Sequence, residues 1–454
     1  MELSKRLLQA PSGFPDLSPK VAIAQTHMLD VIRGEFERAG YSPLETSLVE
    51  RPEVLLAKGG GEISTQVYAL RRLNVAPGED TDAKDLALRF DHTVPLARFV
   101  ATNRHDLSFP FRRYSIGPVF RGERAKNGRY RQFTQADIDV IGEESLSLMH
   151  DAEMVSVIDA IFTKLAIGPF TIRIGNRKVL GGILEATGLD QKDLKAALAT
   201  IDRLEKDGVK ETVTALAAYG IERSKAEDLI ELLTSTENTD AVLASLKEKA
   251  YGPLFSEGLD ELTRVVAAIR TAGVPENHFR IDISIARGLD YYTGTVFETR
   301  FDAHQELGSI ASGGRYEDLA STFTKRRLPG VGISIGVTRL LLRLIEAKLV
   351  PADTSAVAKV LVTTALGAES HASVYLDQAR RLREAGVPTE VYLEEKPLEK
   401  QLKFADQKGF TLALITEKED VAKHVVVVKE FKTGTKHEVP VKDLVTTVQK
   451  LLLA

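Results

Sequence analysis

Residues 131–141 read Arg-Gln-Phe-Thr-Gln-Ala-Asp-Ile-Asp-Val-Ile, a stretch in which polar and apolar side chains alternate. Successive side chains of a β-strand point to opposite faces, so the alternation predicts a strand with one apolar face. Gln135, Asp137 and Asp139 share the other face. Two carboxylates and an amide on one face are typical either of a solvent-exposed sheet edge or of a polar pocket, and the strand alone does not decide between them.

Similar patterns on both sides of this strand predict an antiparallel sheet. Phe111 to Phe120 and Phe279 to Arg287 alternate in the same way and are separated from their neighbours by polar loops. From Pro19 to Gly40 the apolar residues recur at helical spacing, and Gly40 suits the left-handed residue that ends a helix. We therefore expect the chain up to about residue 170 to be α+β.

The composition changes between about Thr171 and Ala272, where Ala, Leu, Lys and Glu dominate and recur with helical periodicity. Strand patterning resumes at Phe279 and continues through a glycine-rich stretch, 312–336. We expect a helical insertion domain at residues 171–273, which would separate the two parts of the first domain, 1–170 and 274–349.

A second domain is expected after a linker at 350–356, which contains Pro351, Asp353 and Ser355. Strand and helix patterns alternate from there, and the helices end at Gly386 and Gly409. Such alternation predicts an α/β domain at residues 357–454 with a mostly parallel sheet.

Composition excludes several classes of protein. The chain has 454 residues and no cysteine, so it has no disulfides, no thiolate nucleophile and no cysteine zinc site. No apolar run is long enough to span a bilayer and the N-terminus lacks a signal-peptide core, so we expect a cytoplasmic protein without a membrane partner. The nine histidines show no paired metal-binding spacing, and no metal site is predicted; any Mg²⁺ is expected to arrive with phosphate.

The loop at 121–131 carries five basic residues and one acidic residue, Glu123. A basic hairpin that leads into an acidic face suits substrates that are anionic at one end and cationic at the other, such as ATP with an amino acid. The net charge of −4 argues against a generally basic nucleic-acid-binding module, although it does not exclude a local basic surface.

Residues 89–95 read Arg-Phe-Asp-His-Thr-Val-Pro. If this segment is extended, Asp91 and Thr93 lie on one face and can bind an ammonium group, whereas a simple turn is the competing interpretation. His92 would face the other way, where a structural role is the more common one.

Two further segments carry candidate ligand-binding residues. Residues 287–298 read Arg-Gly-Leu-Asp-Tyr-Tyr-Thr-Gly-Thr-Val-Phe-Glu, which by itself is compatible with an ordinary hairpin. At 330–336 a strand with alternating glycines runs into a helical pattern that carries Arg339 in its first turn. Such a strand lets a flat ligand lie close to the backbone, and Arg339 can stack on a base. No P-loop motif is present.

Together these segments resemble the class II aminoacyl-tRNA synthetases, and within them the histidyl-tRNA synthetases, over nearly the whole chain. Residues 119–123 with 129–133 are similar to the second class motif, and 336–339 to the third. The string from Arg287 to Gly294 is the signature of the histidine enzymes. The resemblance implies a class II catalytic domain, a C-terminal anticodon-binding domain, and a histidine–tRNA ligase that forms histidyl-adenylate from histidine and ATP.

The resemblance also implies a role for each matching residue. Arg121 would hold the α-phosphate and Arg287 would bridge it to the histidine carboxylate, so these two are the candidate catalytic residues. Glu123, Phe133 and Arg339 would bind the adenine of ATP. The remaining candidates would bind histidine: its ammonium by Asp91, Thr93 and Gln135, its imidazole by Asp139 and Tyr292, and the pocket would be shaped by Tyr291, Tyr316, Gly313 and Gly314.

The implied partners are L-histidine, ATP with Mg²⁺, histidine tRNA and a second copy of the chain in a homodimer. Scattered lysines of the C-terminal domain suit either tRNA phosphates or an ordinary solvated surface, and the second is the more common case; they are Lys396, Lys400, Lys403, Lys423 and Lys429. A competing function belongs to a paralogue of the same fold, the regulatory subunit of ATP phosphoribosyltransferase, which binds histidine without activating it. That subunit generally lacks the anticodon domain and the intact string that begins at Arg287.

Overall fold

The computed structural model describes residues 7–57, 64–74, 86–123, 129–234, 238–285, 291–317 and 319–453. The chain divides into two compact units, one formed by Met1–Asp16 with His27–Val350 and the other by Leu17–Thr26 with Pro351–Ala454. The division after Val350 coincides with the predicted linker.

The first unit is built on a large sheet. Its strands are β1 (Ser42–Pro43), β2 (Val49–Glu50), β3 (Ala87–Leu88), β4 (Phe111–Phe120), β5 (Gln132–Ile141), β6 (Phe170–Asn176), β7 (Phe279–Ile281), β8 (Thr295–Phe301), β9 (Ala311–Tyr316) and β10 (Gly330–Gly336). Eight of them form one sheet in the order β1-β4-β5-β10-β9-β8-β6-β7, and β2 pairs with β3. Neighbours from β4 to β6 in that order are antiparallel, as predicted, whereas the two edge strands β1 and β7 run parallel to their neighbours.

Helices cover this sheet and fill the middle of the chain. They are α1 (Pro19–Arg38), α2 (Pro52–Leu55), α3 (Thr93–Asn103), α4 (Met149–Leu165), α5 (Arg177–Ala186), α6 (Leu194–Asp202), α7 (Leu204–Asp207), α8 (Val209–Ala218), α9 (Arg223–Leu233), α10 (Thr239–Lys247), α11 (Pro253–Thr271) and α12 (Val337–Glu346). Helix α1 confirms the predicted amphipathic helix: Met28, Ile32 and Phe36 are buried, and Gly40 has the positive φ of 79° expected beyond its end.

The predicted strand from Phe279 to Arg287 is shorter than expected. It ends at Ile281 because the next residue starts a turn, in which Asp282 Oδ1 accepts hydrogen bonds from the backbone N–H and the hydroxyl of Ser284. Residues 171–176, which the sequence analysis placed in the helical insertion, belong to β6 in the sheet, and the helices begin at Arg177. The insertion as a separate domain stays a prediction.

A buried network of charges ties the helical region to the sheet. Arg173 on β6 pairs with Asp282, and its Nη1 lies 3.1 Å from Glu205 on α7. Arg300 on β8 binds the same Glu205 at 2.8 Å and Glu298 at 3.1 Å. Because each buried guanidinium has a carboxylate partner, the network avoids the cost of an unpaired buried charge.

The second unit has its own sheet and core. Its strands are β11 (Val360–Val362), β12 (Thr389–Val391), β13 (Leu412–Ile415), β14 (Val425–Glu430) and β15 (Lys436–Pro440), and its helices are α13 (Ala372–Glu384), α14 (Leu398–Lys408), α15 (Lys418–Lys423) and α16 (Leu444–Leu453). The predicted alternation and the glycine ends at Gly386 and Gly409 are confirmed. The prediction of a mostly parallel sheet is wrong: β12, β11 and β13 are parallel, but β13, β14 and β15 pair antiparallel. A short hairpin joins β14 to β15, and the connection from β13 to β14 through the short helix α15 brings the chain back beside β13 in the opposite direction.

Within the described ranges, no helix combines the length and the apolar character needed to cross a membrane.

Helix α5 and helix α11 approach each other closely at a glycine, which gives a test of the packing. A Cβ on Gly182 would lie 2.6 Å from the backbone nitrogen of Phe255 and 2.7 Å from its Cβ, whereas a Cβ on the adjacent Gly181 would meet only Leu254 at 3.5 Å. We expect Gly182→Ala to lower the free energy of unfolding by about 1–3 kcal/mol through overpacking. Chemical denaturation monitored by circular dichroism measures this change.

The matched control is Gly181→Ala, which should leave the stability unchanged or raise it by up to about 1 kcal/mol, since alanine is the better helix former. Equal effects of the two substitutions would contradict the close packing of α5 and α11.

Candidate functional site

A cavity of about 310 Å³ opens on the first unit beside the ends of β5 and β10 and the start of α12. It brings together most of the residues that the sequence singled out. The predicted residues that line it are Asp91, Thr93, Arg121, Glu123, Phe133, Gln135, Tyr291, Tyr292 and Arg339. A smaller recess of about 20 Å³ continues inward and is lined by Asp139 and Tyr316.

The polar face of β5 is turned into this cavity, as one of the two sequence interpretations required. Gln135, Asp137 and Asp139 are all buried, and Gln135 Nε2 donates to Ser334 Oγ on β10 at 2.8 Å. Gln135 Oε1 and Asp137 Oδ1 have no hydrogen-bond partner among the described residues. Two buried acceptors without donors cost free energy unless a ligand brings N–H groups to them.

Asp137 belongs to the site although the sequence analysis gave it no role. It lines both the cavity and the recess, and burial raises its pKa to about 7, against the opposing influence of the Arg113 guanidinium. Its position on the face with Gln135 and Asp139 was the available signal. The sequence alone did not show that the Asp137 side chain reaches the cavity.

The recess is organised around Asp139. The Tyr316 hydroxyl donates to Asp139 Oδ1 at 3.0 Å, and Arg113 Nη2 lies 2.5 Å from Oδ2. Burial raises the pKa of Asp139 to about 6, while the Arg113 charge acts to lower it. The Arg113 charge favours the ionised form of Asp139, and an ionised carboxylate only accepts hydrogen bonds. The recess suits a ligand that presents an N–H.

The glycines around the recess are required by close approach. A Cβ on Gly332 would collide with the Asp139 carboxylate, and a Cβ on Gly313 would collide with the backbone of β10. A Cβ on Gly314 would lie 2.9 Å from the ring of Tyr292. Gly313 and Gly314 were predicted to shape the pocket. They do not line it, but they allow the neighbouring strand and the Tyr292 ring to pack closely around it.

Aromatic rings hold a cation at the outer part of the cavity. The guanidinium carbon of Arg121 lies 4.4 Å from the ring centroid of Phe90 and 5.2 Å from that of Phe133. Burial lowers the pKa of Arg121, and the nearby Asp91 and Glu123 carboxylates oppose that shift. Arginine stays charged in proteins, so Arg121 presents a partly buried positive charge of the kind that binds phosphate.

The remaining predicted nucleotide residues also lie at this outer part. Arg339 Nη2 donates to the backbone carbonyl of Leu307 at 3.2 Å, which fixes the side chain in the cavity wall. Glu123 is paired with Arg129 at 3.0 Å. The second predicted catalytic residue, Arg287, lies outside the described residues.

The segment with Asp91 and Thr93 is not extended. His92 is the N-cap of α3, Thr93 is the first helical residue, and Asp91 Oδ1 accepts a hydrogen bond from the backbone N–H of Val94 at 3.1 Å. The helix tolerates Pro95 because the first turn needs no backbone donor there. Both side chains still reach the cavity, since Asp91 and Thr93 line it together.

His92 has the structural role that the sequence analysis favoured. It is 1% exposed, and its Nε2 lies 3.3 Å from the carbonyl oxygen of Gly117, which can only accept. The ring therefore carries its proton on Nε2 and accepts from the Ser115 hydroxyl at Nδ1, 3.2 Å away. Burial, with the Arg89 and Arg113 charges, holds the pKa of His92 well below its ordinary value.

Comparison with known proteins finds relatives over nearly the whole chain. Residues 13–340 match the family described as histidyl-tRNA synthetase, and residues 358–451 match the anticodon binding domain family. The chain is 44% identical to a histidine–tRNA ligase of Xylella fastidiosa (strain M23), over 97% of each protein. It is 43% identical to one of Xanthomonas campestris pv. campestris (strain 8004), over 97% of the chain and 96% of the relative.

Solved structures show the same fold. The chain superposes on a histidyl-tRNA synthetase from Nostoc sp. PCC 7120 with a TM-score of 0.89 and 39% identity, over 97% of this chain and 99% of that one. A protein described as an ATP phosphoribosyltransferase regulatory subunit/histidyl-tRNA synthetase from Bacillus halodurans C gives a TM-score of 0.71 at 20% identity, over 87% and 96% of the two chains. At that identity the second likeness concerns the fold alone.

The depressed pKa of His92 predicts a pH-dependent stability. His92 stays neutral in the folded state, whereas a histidine in the unfolded chain titrates near pH 6.5. As pH falls below that value, the unfolded state gains a proton that the folded state does not bind, so the free energy of unfolding decreases. We expect the His92 ring signals in NMR spectra to stay those of the neutral ring between pH 8 and pH 5.5. The signals are assigned through their loss in His92→Gln, and a titration of this ring near pH 6.5 would contradict the structure.

Proposed function

The chain belongs to the histidyl-tRNA synthetase family, and on that premise we propose that its cavity performs the first half of histidine–tRNA ligation, with histidine in the inner recess and ATP in the outer part. The observation that carries the proposal is the buried Asp139 carboxylate in the recess, bonded by the Tyr316 hydroxyl and paired with the Arg113 charge, beside buried acceptors without donors. Histidine supplies both kinds of N–H, from its ring and from its ammonium group.

The inner part of the site recognises the amino acid. Asp139 accepts a hydrogen bond from one imidazole nitrogen, and the Tyr292 hydroxyl faces the other. Burial raises the pKa of Tyr292, so its phenol stays protonated and can donate. A side chain without an N–H would leave Asp139 with an unsatisfied charge, which is a strong basis for rejecting other amino acids. Tyr291 and Tyr316 complete the walls, with their ring centroids 5.8 Å apart.

The ammonium group of histidine binds nearer the cavity mouth. Asp91, Thr93 and Gln135 were assigned to it from the resemblance, and all three line the cavity. We add Asp137, whose unpaired Oδ1 is a further acceptor on the same face. A bound ammonium would lower the pKa of Asp137 and draw it into the ionised form.

The outer part of the site binds ATP and promotes the reaction. Adenine lies between Phe133 and Arg339, with Glu123 at its edge, and Arg121 contacts the α-phosphate. The histidine carboxylate attacks the α-phosphorus, a new carboxyl–phosphate bond forms, and the bond to the leaving diphosphate breaks. The nucleophile is already ionised, so the site needs positioning and positive charge more than a base. Arg287 is assigned the bridge between carboxylate and phosphate from the resemblance.

Three further features are proposed from the same resemblance. Mg²⁺ enters with the phosphates of ATP, and the described residues contain no group of three or more potential metal-ligating side chains that would hold it independently. The protein acts as a homodimer, and it does so in the cytoplasm.

The regulatory paralogue is the second candidate function, because the fold is shared. It is disfavoured by the complete C-terminal unit, with a core of its own around β11, β13 and β14, and by the match of that unit to anticodon binding domains. Histidine-dependent exchange of pyrophosphate into ATP separates the two: a ligase catalyses it, and a protein that only binds histidine does not. No exchange by folded protein, with any amino acid, would overturn the proposed function.

The role of Asp139 predicts a selective defect. We expect Asp139→Asn to raise the KM for histidine in pyrophosphate exchange by roughly 10- to 100-fold, because one charge-assisted hydrogen bond is lost. The KM for ATP should stay unchanged. Asp159→Asn is the matched control, because Asp159 binds His278 on the flank of the sheet and does not line the cavity. An unchanged histidine KM in Asp139→Asn would remove Asp139 from imidazole recognition.

Gly332 predicts a defect of a different kind. An alanine there would displace the Asp139 carboxylate. We expect Gly332→Ala to lower kcat/KM for histidine by about 100-fold, as small misplacements of a binding group do, with the KM for ATP retained. Gly34→Ala is the control, since a Cβ at that helical position has nothing within 4 Å. Wild-type kinetics in Gly332→Ala would show that the recess is not the histidine site.

A further inference from the structure

Arg113 is a buried cation that the roles above do not use. It lies on β4 directly opposite Asp139 on β5, and it is 1% exposed. Its Nη2 is 2.5 Å from Asp139 Oδ2, yet none of its nitrogens reaches hydrogen-bond geometry with a partner among the described residues. The interaction with Asp139 is therefore mainly one of charge. Burying a guanidinium costs several kcal/mol, so a side chain that only filled space would be apolar here.

The surroundings of Asp139 show what this charge does. Two carboxylates lie near Asp139: Asp137 on the same strand and Asp91 in the segment before α3. Four tyrosine hydroxyls also interact with Asp139. Tyr316 lies on β9, and the others are Tyr41, Tyr291 and Tyr292. Arg113 on β4 lies opposite Asp139, and β10 (Gly330–Gly336) contributes no titratable side chain. Without Arg113, burial and two neighbouring carboxylates would all favour the protonated form of Asp139.

On the premise of the proposed function, we propose that Arg113 is a positioning residue that keeps Asp139 ionised and aimed into the recess, where Asp139 accepts a hydrogen bond from a ring N–H of histidine. Asp139 then accepts a hydrogen bond from Tyr316 on Oδ1 and has the Arg113 charge beside Oδ2, which leaves acceptor capacity for the ligand. The neutral ring offers one N–H to Asp139 and one lone pair to the Tyr292 hydroxyl.

The test compares the KM for histidine in pyrophosphate exchange between pH 6.5 and pH 9 in the wild type and Arg113→Met. The titration of free histidine is common to both proteins and cancels in their ratio. We expect the ratio of variant to wild-type KM to be about tenfold or more at pH 6.5–7 and to fall as pH rises, because Asp139 in the variant regains its charge only at higher pH. The KM for ATP should not change, and kcat should change less than the histidine KM.

Two control variants separate charge from packing. Arg113→Lys keeps a cation, so its ratio should not fall as pH rises, whatever the effect of the altered packing. Arg112→Met removes the neighbouring arginine, which binds Glu153 at 2.6 Å instead of the site, and its ratio should also be flat. A ratio for Arg113→Met that is raised but independent of pH would overturn the proposal, since lost packing does not titrate in this range.

A further variant covers the case in which Arg113→Met does not fold. In the double variant Arg113→Met with Asp139→Asn both partners are neutral, so the buried unpaired charge is removed. We expect the histidine KM of the double variant to be higher than that of the wild type. The ratio of the two KM values should not fall as pH rises. A ratio that still falls with pH would overturn the proposal, because the titrating group would not be Asp139. An unaffected histidine KM in Asp139→Asn alone would instead refute the proposed function of Asp139.

Discussion

The register of β5 between β4 and β10 sets the geometry of the amino acid site. It places Asp139 opposite Arg113 on one side and opposite Gly332 on the other, and it places Gln135 and Asp137 above the same face. Side chains alternate along a strand, so a shift of one residue would turn this face away from the cavity and bring the apolar face to it. The burial of Ile138 and Val140 on the opposite face therefore fixes the position of the polar residues as well.

This dependence explains which parts of the site the sequence predicts. The polar face of β5 follows from a local pattern of period two, and it was predicted without any knowledge of its neighbours. Arg113 was not predicted, because its importance depends on pairing with a residue far along the chain. Arg112 and Arg113 look equivalent in the sequence, but strand alternation sends one to Glu153 at the flank and buries the other under the recess.

The same distinction between local and distant information holds for the fold. The α1 helix and the helix ends at Gly386 and Gly409 follow from periodicity and glycine chemistry within a few residues. Residues 171–176 of β6 were assigned to the helical insertion, because the membership of β6 in the sheet depends on β7 and β8, which come about a hundred residues later. The sequence also left open that Asp91 would receive the backbone N–H of Val94 and so help to start a helix in place of an extended segment.

The glycines of β9 and β10 have a consequence for how this protein can change during evolution. Gly313, Gly330 and Gly332 are fixed by what lies directly against them: backbone, the ring of Tyr316 and the carboxylate of Asp139. None of the three offers a side chain to a substrate, yet each excludes every residue with a Cβ. Among related proteins, the least variable positions of this pocket should therefore include residues without functional groups. A change of specificity toward another amino acid would require the backbone of the sheet to move first.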